Sequence, residues 1–456
     1  MKKRLILGIA VVLVAAVVVG AIAIRQSVQT YLRSDAFRAM VSGFTSRALG
    51  VRGDFAPFQW AGSSVYSEDF QATGREGTRL SDFSASRIRA ELNWRAAFEG
   101  EWRIDRLDVG QARILLGATQ PPEDAARADE AAPAAAAMPK LPGFVQAWLP
   151  KRVNLAEVVV ADGNIVSEGS GEFALKRSEW TIRPSGNGWE ISAKQGSLNV
   201  AQYPTLSLES ARARFQGGIW FLTHSLLRTE REGVLKVDGE WDPEKTTRLR
   251  VGWEQVPLER WIPEKWRPHA SAIAAGQATV EGKSTDLATW TVSGDFTLTD
   301  GQIHDFAFLD QIATFTQAQQ YRRLSLQKVQ GRFEWKQGAW KVERFVAESR
   351  GLFKVEGTFH VSANGDLSGT LDVGVTGQSL QWLPGSRERV FTVARDGYLW
   401  TPVKVAGTVE RPTEDLSGRL VTAGAQEVIT KPIDSAPAAV RDAAERAIEV
   451  LTPFLR

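Results

Sequence analysis

From residue 51 onward the chain is patterned in twos, and that constrains its fold more than any other feature. In Leu235-Lys236-Val237-Asp238-Gly239-Glu240-Trp241 the apolar side chains fall on one face and the charges on the other. Phe353, Val355, Phe359 and Val361 alternate with Lys354, Glu356, Thr358 and His360. Leu371, Val373 and Val375 alternate with Thr370, Asp372 and Gly374, and Val403, Val405 and Val409 with Lys404, Ala406 and Glu410. A strand sends successive side chains to opposite faces, so this pattern specifies strands with one dry and one wet face. Asp162-Gly163-Asn164, Gly186-Asn187-Gly188, Asp300-Gly301, Asn364-Gly365-Asp366 and Asp396-Gly397 fall between such runs. Asn and Gly adopt the positive φ of tight hairpins, so these read as turns in an antiparallel meander.

A weak repeat supports hairpins. Gly100-Glu101-Trp102-Arg103-Ile104-Asp105-Arg106-Leu107 matches Gly338-Ala339-Trp340-Lys341-Val342-Glu343-Arg344-Phe345 in residue character, with shorter echoes at Gly188-Trp189 and Gly218-Ile219-Trp220. The pattern also poses a problem. So many half-apolar strands need cover, and convincing helices are few. Either two sheets face each other around a filled core, or the sheet curls into a trough for an apolar ligand. The chain holds 16 Trp against 5 Tyr and 3 Met. Such rings need apolar surface or a membrane interface.

The N-terminus reads as an address. Lys2, Lys3 and Arg4 precede an uncharged apolar run from Leu5 to Ile24 that includes Ile6, Val12 and Val18. Twenty helical residues rise about 30 Å, the thickness of a hydrocarbon core. The basic residues favour the cytoplasmic side, so the rest of the chain is expected to be exported. Ala21-Ile22-Ala23 offers a rival signal-peptide site, but the run exceeds a signal peptide's usual apolar length. Residues 26–49 then read as helix, with Ser34 and Asp35 able to restart it and Gly50 to stop it. Ala, Pro, Glu and Asp dominate residues 118–140, a disordered linker by composition. A helical turn is expected near Leu309 to Gln320. Residues 434–456 form an amphipathic stripe of Val440, Ala444, Ala447, Ile448, Leu451 and Leu455, with Ser435 as cap.

Other chemistry finds little support. The absence of cysteine removes disulfides and thiolate sites, and a net charge of +2 gives no bulk argument for nucleic acid. His224, His269, His304 and His360 show no metal-ligand spacing. No Gly-x-Ser-x-Gly elbow or phosphate loop is present, and the adjacent carboxylates Glu68-Asp69 and Glu414-Asp415 point to opposite faces if on strands. The reading is therefore of no catalytic residue, metal or cofactor. Trp102, Trp189, Trp220, Trp290, Trp335 and Trp340 leave a glycan-binding protein as an alternative, and a non-catalytic envelope assembly scaffold as another.

Residues 1–117 resemble the AsmA-like family of envelope proteins, related in architecture to chorein-type bridge-like lipid-transfer proteins. The resemblance rests on an ordered series. After the anchor comes a helix ending Ser46-Arg47-Ala48-Leu49-Gly50, then a strand into Phe55-Ala56-Pro57-Phe58-Gln59-Trp60. Next come Ser67-Glu68-Asp69-Phe70, then Ala85-Ser86-Arg87-Ile88-Arg89-Ala90-Glu91-Leu92, and Trp102 to Leu116 closes the unit. Residues 276–375 are similar to the family's C-terminal region, with Asp300-Gly301-Gln302-Ile303 followed by Leu326 to Glu334, Gly338 to Glu348 and Leu352 to Val361. The resemblance implies a mostly β protein. A transmembrane helix (1–25) precedes a helix-plus-sheet unit (26–117), the linker (118–140) and a long twisted antiparallel β-groove (141–433), with an amphipathic helix last (434–456). It implies a single-pass inner-membrane protein with its bulk in the periplasm of a diderm bacterium, binding phospholipid and serving outer-membrane lipid homeostasis, with an outer-membrane or periplasmic protein as further partner. The apolar register of the strands then nominates Leu235, Val237, Trp241, Phe333, Trp335, Phe353, Val355, Phe359, Val361, Leu371, Val373 and Val375 as groove lining. Lys236, Glu356, Thr358 and Asp372 are expected to face water.

Overall fold

The computed structural model describes residues 30–75, 80–93, 101–117, 152–168, 172–242, 245–283, 286–304, 322–381 and 385–430. The expected anchor, the Ala/Pro-rich linker, the turn near Leu309 to Gln320 and the amphipathic helix over 434–456 lie outside them. Among the described residues no helix is long and apolar enough to cross a membrane. The chain divides into two compact units, Met1–Gly217 and Gly218–Arg456.

The first unit opens with helix α1 (Asp35–Leu49). Ser34 is extended at its N-cap and its Oγ accepts from the Phe37 N–H at 3.3 Å. Asp35 and Arg47 place a negative charge in the first turn and a positive one in the last, as the helix dipole favours. Gly50 ends the helix in the left-handed region at φ 69°. Helix α1 lies along the edge of strand β1 (Val51–Phe55). Ser42 and Ser46, one turn apart, are buried there. Ser46 Oγ accepts from the Gly53 N–H at 3.0 Å and donates to its carbonyl at 3.1 Å, and Ser42 Oγ accepts from the Phe55 N–H at 3.1 Å. Two hydroxyls thus satisfy an edge that could otherwise recruit another strand.

Strands β1 and β2 (Gln59–Ala61) both pair with β3 (Ser64–Gly74), followed by β4 (Leu80–Asn93) and β5 (Glu101–Leu116), all antiparallel. The largely antiparallel pattern is interrupted next. Strands β6 (Arg152–Leu155) and β7 (Val158–Ser167) run parallel to β5, with Glu101 opposite Arg152 and Leu107 opposite Val158. A parallel neighbour requires a long return connection, and the Ala/Pro-rich stretch between β5 and β6 has the length for it. Strands β8 (Phe173–Ser185), β9 (Gly188–Lys194), β10 (Ser197–Val200) and β11 (Leu206–Gln216) complete the unit in antiparallel order. Its core is a single apolar face centred on Phe70, 1% exposed, with Val51, Ala85, Ala112, Val160 and Trp180. Truncating a side chain as enclosed as Phe70 costs about 3–5 kcal/mol.

The second unit is antiparallel throughout: β12 (Ile219–Arg228), β13 (Val234–Trp241), β14 (Thr246–Pro257), β15 (Ala270–Lys283), β16 (Asp286–His304), β17 (Arg323–Lys336), β18 (Ala339–Ser349), β19 (Phe353–Val361) and β20 (Leu367–Thr376) pair in sequence. β21 (Val393–Arg395) and β23 (Pro412–Glu414) flank β22 (Tyr398–Gly407), which pairs with β20. A short helix α2 (Ser386–Arg389) and helix α3 (Leu416–Thr430) lie near this end; α3 was not expected.

Two expected turns are not turns. Asp300-Gly301 lies inside β16, where Asp300 takes φ 52° at a break in register. A bulge demands the same positive φ as a tight turn, so the residue signal is shared. Asp162-Gly163-Asn164 lies inside β7, and Gly163 serves close approach: a Cβ there would meet the Trp180 ring at 2.3 Å. Positive φ also occurs within strands at Arg87, Arg177, Gln255 and Arg344. Bulges of this kind bend a strand and raise its local twist.

Candidate functional site

In an antiparallel pair, residues directly opposite share a face, so the registers of the second unit can be followed across strands. One row runs Leu249, Val280, Val292, Trp335, Trp340, Val361, Leu367. The next runs Val237, Val251, Ala278, Gly294, Phe333, Val342, Phe359, Gly369, Val405. A third begins Leu235, Trp253, Gly276, Phe296, Gly331 and resumes at Phe345, Gly357, Leu371, Val403. A fourth joins Ala274, Leu298, Val329, Ala347, Val355, Val373. Every row is apolar or glycine, and together they form an apolar face from β13 to β20, with a register shift at β18.

All twelve nominated lining residues stand on this face, Phe353 paired with Val375 and Trp241 two positions beyond Gly239. The opposite face carries Lys236, Glu356, Thr358 and Asp372, as expected. Lys236 Nζ reaches Glu254 Oε1 at 2.8 Å across β13 and β14, and Lys354 reaches Glu356 at 2.6 Å. Lys354 has its pKa raised, first by its hydrogen bond to Glu356. Exposed pairs of this kind add little stability.

Burial distinguishes this face from a filled core. Its small members are buried: Ala274, Ala278, Val329, Val342 and Ala347 are each 8% exposed or less. Its large members are not. Phe333, Trp335, Phe353, Phe359, Leu371 and Trp253 are half-buried, and Trp340 is 44% exposed. A packed core encloses its largest side chains, whereas here the large shelter the small and themselves face outward. The rings also lie low. A Cβ on Gly276 would meet the Trp253 ring at 2.6 Å, and one on Gly331 would meet Phe296 at 3.0 Å. Aromatics laid over glycines of the next strand make a continuous floor.

At one end this floor is roofed. Leu380, Val390, Phe391 and Ala423 of α3 are buried against Val373, Val375 and Leu399. Glu414 Oε2 accepts from the Ser417 N–H at 3.0 Å, capping α3. Arg419 donates to the Pro402 carbonyl at 2.6 Å and pins the helix to β22. Val373 and Val375 are therefore lining residues already covered by the protein itself.

The tryptophans divide by environment. Trp102 is buried beneath α1 with its ring 5.5 Å from Phe37, whereas its repeat counterpart Trp340 is open and lies 5.9 Å from Phe333. Both start a strand; only the helix above differs. Pairing of β15 with β16 brings His269 and His304 to a ring separation of 6.5 Å, which their spacing in sequence hid. No group of three metal-ligating side chains occurs among the described residues. Glu68-Asp69 sits within β3 rather than beside a turn, and Asp415 accepts from the Lys404 N–H at 2.8 Å, a structural use. In the first unit a cavity of about 800 Å³ opens beside the Arg87 bulge, lined in part by Tyr66, Glu68, Arg87, Arg89 and Asp108. Arg89 is tied to Glu91 at 3.0 Å and Asp108 to Arg106 at 2.7 Å, so its charges largely cancel.

No protein-family profile matches the chain, and no curated protein matches it in sequence.

Proposed function

We propose that this protein binds phospholipid through the apolar face of its second unit and conducts acyl chains along it, anchored in the inner membrane with its bulk in the periplasm. Outer-membrane biogenesis or lipid homeostasis is the process served, and no reaction is catalysed. The observation that carries this reading is the burial pattern: large apolar side chains on one face from β13 to β20, half-buried, beside small ones that are buried. A water-soluble fold gains nothing from leaving such a surface wet, and a patch of this extent marks a ligand or partner. An acyl chain suits it because the floor is apolar without interruption and offers no fixed polar anchor. About ten methylenes laid on such a floor contribute on the order of 8 kcal/mol before ordering costs, which is micromolar at best. Binding of that strength permits sliding. The uncharged apolar N-terminal run led by Lys2, Lys3 and Arg4 and the ordered resemblance to AsmA-like proteins support the location.

The test is site-specific photo-crosslinking in membranes of the expressing bacterium. A benzophenone side chain at Val355, on the apolar face, is expected to yield phospholipid adducts, and one at Thr358, on the wet face, none. Equal adducts from both positions, or none from either in a folded protein, refute the proposal. Adducts of glycan would instead favour the tryptophan-platform alternative.

A further inference from the structure

The two rims of the apolar face in the second unit differ. Along one, the connections are tight: Gln337-Gly338 joins β17 to β18, and residues 284–285 join β15 to β16. Along the other, three connections are longer, at residues 258–269, 305–321 and 377–392, beside shorter ones at 229–233 and 350–352. Tryptophan gathers on the tight rim. Trp220 and Trp241 pair across β12 and β13 with rings stacked at 6.4 Å and 23°. Trp290 lies over Gly282, and Trp335 pairs with Trp340. All stand on the apolar face, one step from the hairpin ends, where floor meets water. Trp241 is 42% and Trp340 44% exposed. The Trp290 indole N–H is used by the Lys283 carbonyl at 2.9 Å, but those of Trp241, Trp335 and Trp340 have no protein acceptor among the described residues.

An indole has an apolar body and one polar donor, which is why it settles at the boundary between hydrocarbon and water. Two such donors on the adjacent strands β17 and β18, and a third on β13 of the same rim, match a ligand that is apolar on one side and rich in oxygen acceptors on the other. We infer that the tryptophan rim holds the glycerol-ester and phosphate portion of a two-chain phospholipid, whose acyl chains run from there along the strands over Phe333, Phe359 and Val355. The inference rests on the lipid reading above and adds an orientation to it. The dimensions allow it: from Val361 to Phe353, β19 runs about 26 Å at roughly 3.3 Å per residue, against the roughly 15 Å depth of one leaflet.

The experiment places the benzophenone at Trp340 in one full-length protein and at Val355 in another, crosslinks in membranes, then cleaves lipid esters with mild alkali. Adducts at Trp340 are expected to retain glycerophosphate after cleavage, and adducts at Val355 to retain only fatty acid. Fatty acid alone at Trp340, or adducts at Val355 with none at Trp340, overturns the orientation while leaving lipid binding in place. Adducts at neither position overturn lipid binding itself, and the orientation falls with it.

Discussion

Replacing Val355 with Glu separates a wet apolar face from a dry core. Val355 sits between Ala347 and Val373 in the fourth row and is half-buried. Full burial of a valine contributes about 1.5 kcal/mol or more, so losing half of it costs about 1 kcal/mol. If the face is open, the carboxylate reaches water and adds little; the total is about 1–2 kcal/mol, a fall in Tm of about 3–6 °C for a unit of this size. If the face is covered, an ionised carboxylate enters a dry interior at a cost of several kcal/mol, and the unit fails to fold. Val342, 7% exposed on the second row, supplies the enclosed comparison, and Val342→Glu is expected to lower Tm much further. Thr358→Lys is the control on the wet face, chosen because Glu356 and Asp372 lie beside it. The assay pairs thermal unfolding with the phospholipid content of the purified protein. Val355→Glu is expected to stay folded and to lose lipid. Equal loss of folding in Val355→Glu and Val342→Glu refutes the open face, and a folded Val355→Glu protein with undiminished lipid refutes its use.

Ser46→Ala removes the partner of both the Gly53 N–H and its carbonyl, and is expected to cost about 1–3 kcal/mol in thermal unfolding, with faster amide exchange at Gly53. Gly163→Ala drives a methyl into the Trp180 ring and is expected to cost about 1–3 kcal/mol, read in the same way. Burial pushes the Tyr31 phenol up from its ordinary value. Its contribution to stability is therefore complete below about pH 10, the unfolded phenol's range, and is lost as pH rises through the higher folded value. Ultraviolet titration is expected to show a late-ionising component that Tyr31→Phe abolishes.

Period two was the legible part. It placed Leu235, Val237, Phe353 and Leu371 on one face and their charged neighbours on the other, because a half-wet strand states its register in every second residue. Ser34 and Gly50 marked the ends of α1 for the same local reason, each filling a backbone need at its own position. What escaped the sequence was non-local. Asp300 looks like a turn because bulge and hairpin require the same φ. The parallel seam between β5 and β7 depends on where a long connection returns, which no residue on either strand records. Helix α3 contains Gly418, Gly424, Val421 and Thr422, a poor helical sequence, and is stabilised by what it covers, Val373, Val375 and Leu399. The tryptophan rim was half visible. Gly-Trp pairs announced strand starts, but only the registers show that Trp241, Trp335 and Trp340 share a face, and only the packing of α1 shows that Trp102 is buried.

A sheet that leaves its apolar face open must still avoid sticking to other sheets, and the devices for this are separate from the face itself. The free edge of β1 is closed by two serines of α1, so strand addition there would have to break three hydrogen bonds first. The last strands of the second unit are roofed by Phe391 and α3. On the wet side, Arg248 meets Glu281 at 2.7 Å and Arg332 meets Asp295 at 3.2 Å, so neighbouring strands are held in register by charge where they cannot be held by a packed layer above. The open floor then has only its large side chains to hide, and Trp253, Phe296 and Trp290 already lie over glycines. A ligand that covers them needs no shape of its own, only apolar length. Rings laid over glycines and indole donors on one rim fit a flexible chain with a polar end better than a folded protein, whose surface would need pockets to match. That is the physical reason for preferring lipid over a protein client on this face.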